Sequence, residues 1–485
     1  MELVVKSTQN WKSEGGRGPS SLSVTGALFG LSLAILAPSL STSVANISLP
    51  TLAQAFGAPF QYVQWVLLAY LLAITTLIVS AGRLGDRVGR RRLLLVGTLI
   101  FTAASAACGL APSLLVLIIA RAVQGVGAAI MMALSMAFVG QIVPKERTGR
   151  AMGLLGTMSA VGTALGPSLG GFLIAALGWN SIFLINVPLG IIAFAFVRRF
   201  LPRDISSDRK DGRFDVLGTF LLAIALASYA LSMTIGRGHF GGLNMALLSA
   251  AVVFVCFFVL AEKKAEAPLI RLSVFNDVEL TGSLVVSAVV STVMMATLVV
   301  GPFYLSRALG LNPTGVGLVM SVGPLVVALS GVPAGRLADH LGAQRVTIAG
   351  LLLISAGALG LSLSPPALGI WGYLAPVIVI TSGYSLFQTA NNTAVMSGVH
   401  ADRRGVISGM LNLSRNLGLI TGASAMGALF AAASGAGDIA AASHGAVGTG
   451  MSITFGVAWG LAIVAFVISI SSQAMASRKT QLDVA

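Results

Sequence analysis

The chain has 485 residues, 56% of them hydrophobic and only 9% charged, with a net charge of +14 and a mean hydropathy of +0.91. Length alone would suit a multidomain soluble protein, but so apolar a composition excludes that and places most of the chain in lipid. The basic excess falls in loops on one side of the spans, as set out below, which excludes nucleic acid as its partner. Cys108 and Cys256 lie in apolar segments with neither redox nor metal-ligand spacing.

Residues 1–23, with Lys6, Lys12 and Arg17, read as a polar tail. The first apolar run ends at Ser43-Val44-Ala45, a small-x-small pattern like that of a cleavage site. It is nevertheless long enough to span, and no cleavable signal is expected. Six runs follow one another near 26–46, 62–82, 93–111, 113–138, 151–175 and 181–199. A charged linker from Arg203 to Arg213 precedes two more near 215–235 and 243–261, and a second charged stretch runs from Glu262 to Arg271. The last six lie near 279–304, 314–334, 346–364, 369–393, 406–431 and 450–471. Each approaches the ~20 residues a bilayer requires. The predicted fold class is an all-α integral membrane protein with 14 transmembrane helices. The domain reading is a tail over 1–23, a six-helix half over 24–200, a linker with a two-helix insert over 201–272, a second six-helix half over 273–472, and a tail over 473–485.

Positive charge orients the spans. An even count puts both termini on one side, and that side carries 26 of the 30 Lys and Arg residues. The opposite side holds Arg237 and Arg307, while Arg121 and Arg415 lie inside spans. Both termini are therefore expected in the cytoplasm of a multi-pass cell-membrane protein.

The two halves repeat one another. Glu146, Arg147, Gly149, Gly153, Gly162, Gly166 and Gly171 recur as Asp402, Arg403, Gly405, Gly409, Gly418, Gly422 and Gly427, at an offset of 256. The loop pattern Gly82-x-Leu84-x-Asp86-x-x-Gly89-x-x-Arg92 recurs as Gly335-x-Leu337-x-Asp339-x-x-Gly342-x-x-Arg345, at an offset of 253. Two pseudo-symmetric six-helix halves flanking an insert are an arrangement of secondary transporters, with a cavity between the halves. Interior glycine costs a soluble helix roughly 1 kcal/mol per residue. In a membrane a glycine stripe such as Gly162, Gly166 and Gly170 lets a neighbouring backbone approach. Pro167 interrupts the first copy, and Ala423 takes its place in the second, which predicts a kink on one side only.

These residues resemble the major facilitator superfamily, specifically its fourteen-helix drug:proton antiporter branch, over nearly the whole chain. Gly82 to Arg92 resembles the family's loop motif, Arg121-Ala-Val-Gln-Gly-Val-Gly127 its fourth-helix motif, and Leu40 to Pro50 the branch's first-helix motif. Gly153-x8-Gly162-x3-Gly166-Pro167-x2-Gly170-Gly171 matches the antiporter signature in full. The chain departs from the branch at Ser41, commonly acidic, and at Asn180-Ser181, commonly Arg-Trp. The resemblance implies a latch between the halves: Asp86, beside Arg90, facing the start of span thirteen near Gly405, and Asp339 facing the start of span five near Gly149.

Arg121 and Arg415 lie about eight and ten residues into their spans, deep in the hydrocarbon at ~1.5 Å per residue. Such charges by default face a polar cavity; the competing reading is a structural arginine satisfied by neighbours such as Gln124 or Asn412. The 16 acidic residues fall in tails, loops or helix ends, and Glu279, at the start of span nine, is with Asp86 the nearest candidate for proton coupling. Thr381, Ser385, Gln388 and Asn392 share one helical face of span twelve, which suits a cavity lining or helix–helix hydrogen bonding. Ser41, Asn46, Gln64 and Trp65 are further polar candidates for the translocation path.

The reading is a secondary active exporter of small amphiphilic compounds, driven by proton antiport, needing no cofactor and no metal, and monomeric. With two arginines and no mid-span carboxylate, the alternative is a specific neutral or anionic metabolite or weak acid. An uptake symporter is argued against by the complete Gly-Pro signature, and a membrane enzyme by the lack of a clustered His, Asp or Glu constellation.

Overall fold

A computed structural model describes residues 21–143, 148–202, 204, 215–235, 241–265, 277–397, 404–435 and 443–484; a few side chains within these helices, that of Asp86 among them, lie outside the description. Among the described residues there is no strand, and fourteen helices are long and apolar enough to cross a membrane. They are built on α1 (Ser21–Phe56), α2 (Trp65–Val88), α3 (Arg90–Gly109), α4 (Leu114–Ile142), α5 (Thr148–Leu177), α6 (Asn186–Phe200), α7 (Val216–Thr234), α8 (Gly242–Lys264), α9 (Val278–Phe303), α10 (Pro313–Leu341), α11 (Ala343–Leu363), α12 (Gly369–Ser397), α13 (Arg404–Thr421) and α14 (His444–Val484), the sixth span also taking in Ser181–Leu184 and the thirteenth continuing to Ala433. One-turn helices, Phe60–Val63 and Ser181–Leu184, lead into α2 and α6.

The predicted spans and the helices coincide to within a few residues except at α1 and α14 and at the ends of α2 and α10, which run on to Val88 and Leu341. α1 runs on through Pro50 to Phe56, because Ile47, Leu49, Leu52 and Ala53 stay in the core after the simple apolar run has ended. Packing sustains the helix there.

The duplication is visible in the close approaches. A β-carbon on Gly127 of α4 would stand 2.6 Å from Phe101 N and 2.7 Å from Gly97 O of α3; one on Gly383 of α12 would stand 2.6 Å from Gly350 O and 2.8 Å from Ile354 N of α11. The glycine stripe of α5 faces α1 of its own half, where β-carbons at Gly162 and Gly170 would meet Leu36 O at 2.7 Å and Ile47 Cγ2 at 2.9 Å. Ser39–Ser159 (2.8 Å) and Ser43 to Thr163 O (2.7 Å) bond across the same seam. In the second half Gly418 and Gly422 lie on α9 in the same way, and Thr292 donates to Gly418 O at 3.1 Å.

The predicted one-sided kink is corrected. α5 carries Pro167 within the helix, and α13 breaks at the corresponding place into a π-helical turn, Gly422–Met426, before continuing as Gly427–Ala433. Each copy interrupts its regular helical ladder, one by a missing donor and the other by a wider turn.

The insert is tied to α2 near both ends of that helix. Trp65 Nε1 donates to Thr234 Oγ1 at 3.0 Å, and Ser80 and Thr219 share a hydroxyl bond at 2.9 Å. Phe258 of α8 packs with Leu284 of α9 and Leu411 of α13, so the insert touches both halves.

Candidate functional site

At the end of the bundle away from both termini the halves are sealed. Phe60, just before α2, inserts its ring between Phe303 of α9 and Phe430 beyond α13, with centroids 4.7 and 6.2 Å away. All three rings are at most 1% exposed. Beside them two quasi-equivalent contacts cross from half to half. Gly171 of α5 meets Gly317 of α10 backbone to backbone: a β-carbon on Gly317 would stand 2.5 Å from Pro167 O, and one on Gly171 would stand 2.5 Å from Pro313 O. Gly427 meets Gln64, whose amide occupies the space a β-carbon there would need and donates to Ala423 O at 3.1 Å. The repeat offsets turn Gly171, Pro167 and Gly317 into Gly427, Ala423 and Gln64. One contact is thus bare backbone, and its twin carries a buried amide. The crossing contact therefore comes from Gly171 and the Pro167 carbonyl, while Gly162, Gly166 and Gly170 serve α1.

Arg121 sits on α4 in the first half, 0% exposed. Its Nε donates to Val66 O at 2.9 Å, and Nη1 donates to Ser41 Oγ at 2.9 Å and to Gln124 Oε1 at 2.6 Å. Gln124 is held in turn by donating to Ser105 at 2.7 Å. The guanidinium lies 4.0 Å from the Tyr70 ring centroid and 5.8 Å from that of Phe183, so the negative π faces attract its charge. Nη2 finds no acceptor. The predicted group Ser41, Arg121 and Gln124 is thus brought together, with a hydroxyl where a carboxylate would neutralise the charge. Asn46 lies farther along α1, 2% exposed, donating to Thr42 O at 3.2 Å. Trp65, a translocation candidate by sequence, spends its indole N–H on α7.

Arg415 of α13 is placed differently. It lines a cavity of about 170 Å³ with Gln388, Asn392, Met396, Leu411 and Asn412. Arg415 is half-buried, its Nε lacks an acceptor, and it has no hydrogen-bond or ion-pair partner among the described residues. Gln388 donates to Asn392 Oδ1 at 3.4 Å, and its Oε1 is buried without a partner. The polar stripe of α12 is divided: Thr381 and Ser385 are each 3% exposed, and Thr381 packs on Gly323 of α10, whereas Gln388 and Asn392 line the cavity.

Glu279 is exposed at a separate cavity of about 260 Å³ between α9, α11, α12 and α14, which it shares with Gln344, Asn391 and Ser472. Asp339 is exposed near the end of α10, and Arg90 is half-buried at the start of α3. The side chain of Asp86 lies outside the description, while Gly149 and Gly405 stand in the first turns of α5 and α13.

Two carboxylates were passed over by sequence reasoning. Asp204 caps α3, accepting from Arg91 N at 2.8 Å and Arg92 N at 3.0 Å, so linker charge meets the positive end of that helix. Glu262, at the end of α8, is only 3% exposed and lies with Asp215 around Gly218. A helix-end position reads as solvated; nothing in the sequence signalled that α7 would cover it.

The model of the Major Facilitator Superfamily matches residues 31–423. The chain belongs to that superfamily. Its relatives include the riboflavin transporter RibZ of Clostridioides difficile, 31% identical over 399 residues covering 82% of this chain and 86% of the relative. The drug efflux pump JefA of Mycobacterium tuberculosis is 33% identical over 408 residues, 81% of this chain and 78% of the relative. A solved superfamily fold, a bacterial homologue of the lysosomal transporter Spinster, aligns with a TM-score of 0.68 at 16% identity over 93% of this chain and 97% of its own. The superfamily consists of transporters, so the chain is a multi-pass membrane protein of that kind.

Proposed function

We propose that this protein is a secondary active exporter of small amphiphilic compounds, working by alternating access and exchanging its substrate for protons. The observation that carries the reading is the pairing of a sealed end with an open arginine-lined cavity: Phe60, Phe303 and Phe430 close one end, and Arg415, Gln388 and Asn392 line a cavity nearer the other. Both termini are on the cytoplasmic side in this reading, so the conformation faces inward, ready to load from the cytoplasm of a bacterial cell. Arg121, with Ser41 and Gln124, shapes the first half of the path, and Asn46 and Trp65 flank it. Asp86, Arg90 and Asp339 latch the halves in the alternate state, and Glu279 is the proton-coupling candidate. The full Gly-Pro signature of α5 and relatives named as drug efflux pumps support export. A relative named as a riboflavin transporter supports a second reading, in which a specific metabolite replaces a range of drugs.

Everted membrane vesicles test this. Energised vesicles carrying the protein are expected to accumulate an amphiphilic dye, with the signal abolished by a protonophore. Accumulation in right-side-out vesicles driven by inward proton flow would instead establish uptake.

A further inference from the structure

The cavity between α12 and α13 carries more chemical information than a general drug site. We propose that it binds the anionic head of an amphiphile, an organic carboxylate with an apolar body, and that Arg415 is the residue that selects it. The inference rests on the transport reading above and adds the charge of the substrate.

The two arginines make the contrast. Arg121 is enclosed at 0% exposure, with Nε and Nη1 donating to Val66 O, Ser41 and Gln124 and only Nη2 left without an acceptor. Arg415 opens onto about 170 Å³ of space, its buried Nε is without an acceptor, and no carboxylate among the described residues pairs with it. A guanidinium in an apolar bundle needs a counter-charge or a set of acceptors. If the protein supplied neither, the substrate can.

The surroundings fit a carboxylate. A guanidinium presents two parallel N–H donors that match the two oxygens of a carboxylate. Gln388 carries a buried amide oxygen with no partner and bonds to Asn392 at only 3.4 Å. Amide orientation is interchangeable by rotation, and the turned Gln388 offers its N–H to the same anion. Met396 and Leu411 supply an adaptable apolar wall for the body of the ligand. A cationic drug would find no carboxylate on this wall and would face Arg415. A neutral one would leave the guanidinium without a counter-charge. The duplication points the same way: the position of Arg415 in the first half is Ser159, which is tied to Ser39. The charge stands in one copy only, and no counter-ion accompanies it among the described residues.

Naphthoate, naphthamide and naphthylmethylammonium share a ring system and differ in charge, so they serve as probes. Binding to the purified full-length protein in nanodiscs is expected to favour naphthoate over naphthamide by about tenfold or more, the weight of one charge-assisted contact. Arg415→Gln is expected to remove that preference and Arg415→Lys to restore part of it. Asn392→Asp, which places a carboxylate beside Arg415, is expected to abolish naphthoate binding and to admit the ammonium. Equal affinity for the three probes, or a naphthoate preference that survives both Arg415→Gln and Asn392→Asp, overturns the proposal. Flux in proteoliposomes separates it from the transport reading: naphthoate that binds without moving under a pH gradient refutes export and leaves the site. Movement of the ammonium with naphthoate excluded refutes the site and leaves export.

Discussion

Gly427→Ala is the sharpest perturbation of the seal. A β-carbon at 427 would overlap the Gln64 amide nitrogen, which is fixed by its bond to Ala423 O and is 0% exposed. The alanine can be admitted only if Gln64 leaves, and then a buried amide loses its acceptor. Overpacking of about 1–3 kcal/mol and an unsatisfied buried group of about 1–3 kcal/mol overlap in part, which gives about 2–4 kcal/mol against the sealed state. At 1.4 kcal/mol per tenfold, the sealed population falls by about thirty-fold to several-hundred-fold relative to the open one. Spin labels at Tyr62 and His444, one on each half, read this as a distance distribution in a background without Cys108 and Cys256. The variant is expected to shift toward longer separations and to lose transport. Gly156→Ala, where nothing stands within 4 Å of a β-carbon, is the silent control. Removing the obstacle in the double variant Gln64→Ala with Gly427→Ala is expected to recover part of the sealed population. An unchanged distribution in Gly427→Ala, or no recovery in the double variant, would refute the reasoning.

Two further predictions follow from the close approaches and from Ser41. Gly127→Ala sets a β-carbon against backbone atoms of Phe101 and Gly97 that cannot swing aside; a loss of about 1–3 kcal/mol is expected, read as a lower melting temperature in detergent, and an unchanged melt would show that α3 and α4 can separate freely. Ser41→Asp puts a carboxylate where the Oγ now accepts from Arg121 at 2.9 Å. It is expected to neutralise the first-half charge and to let a lipophilic cation such as tetraphenylphosphonium be transported; no gain of cation transport would separate Arg121 from substrate selection.

The fold was legible because lipid enforces it: every span must be near ~20 residues and apolar. Arg121, Ser41 and Gln124 were legible for the same reason, since a charge in hydrocarbon draws attention to itself and to its neighbours. The grouping of Gln388, Asn392 and Arg415 combined a helical-face periodicity with an intramembrane charge. What escaped was long-range. The burial of Glu262 depends on α7, and the capping of α3 by Asp204 depends on a linker that folds back. The π turn of α13 replaces a proline with no residue that announces it. The partner of Trp65, Thr234 on the insert, lies 169 residues away, and no local pattern announces that bond.

Duplication separates what the two halves share from what each holds alone. The residues that recur are those that let backbones touch: Gly97 with Gly127 and Gly350 with Gly383 within the halves, Gly171 and Gly427 across them. Such contacts depend on the absence of a side chain, so both copies must retain them for the two halves to pack alike. The intramembrane charges do not recur. At the offset that matches Gly127 to Gly383, Arg121 corresponds to Val377, 6% exposed and apolar, and Arg415 corresponds to Ser159. Each half thus holds one intramembrane arginine at a position its twin leaves uncharged, one enclosed by protein acceptors and one open to a cavity. Of the two, Arg415 alone lines the cavity, so it is the charge that acts most directly there. The rocking of the two halves can then change what that charge sees without moving Arg121 out of its own shell.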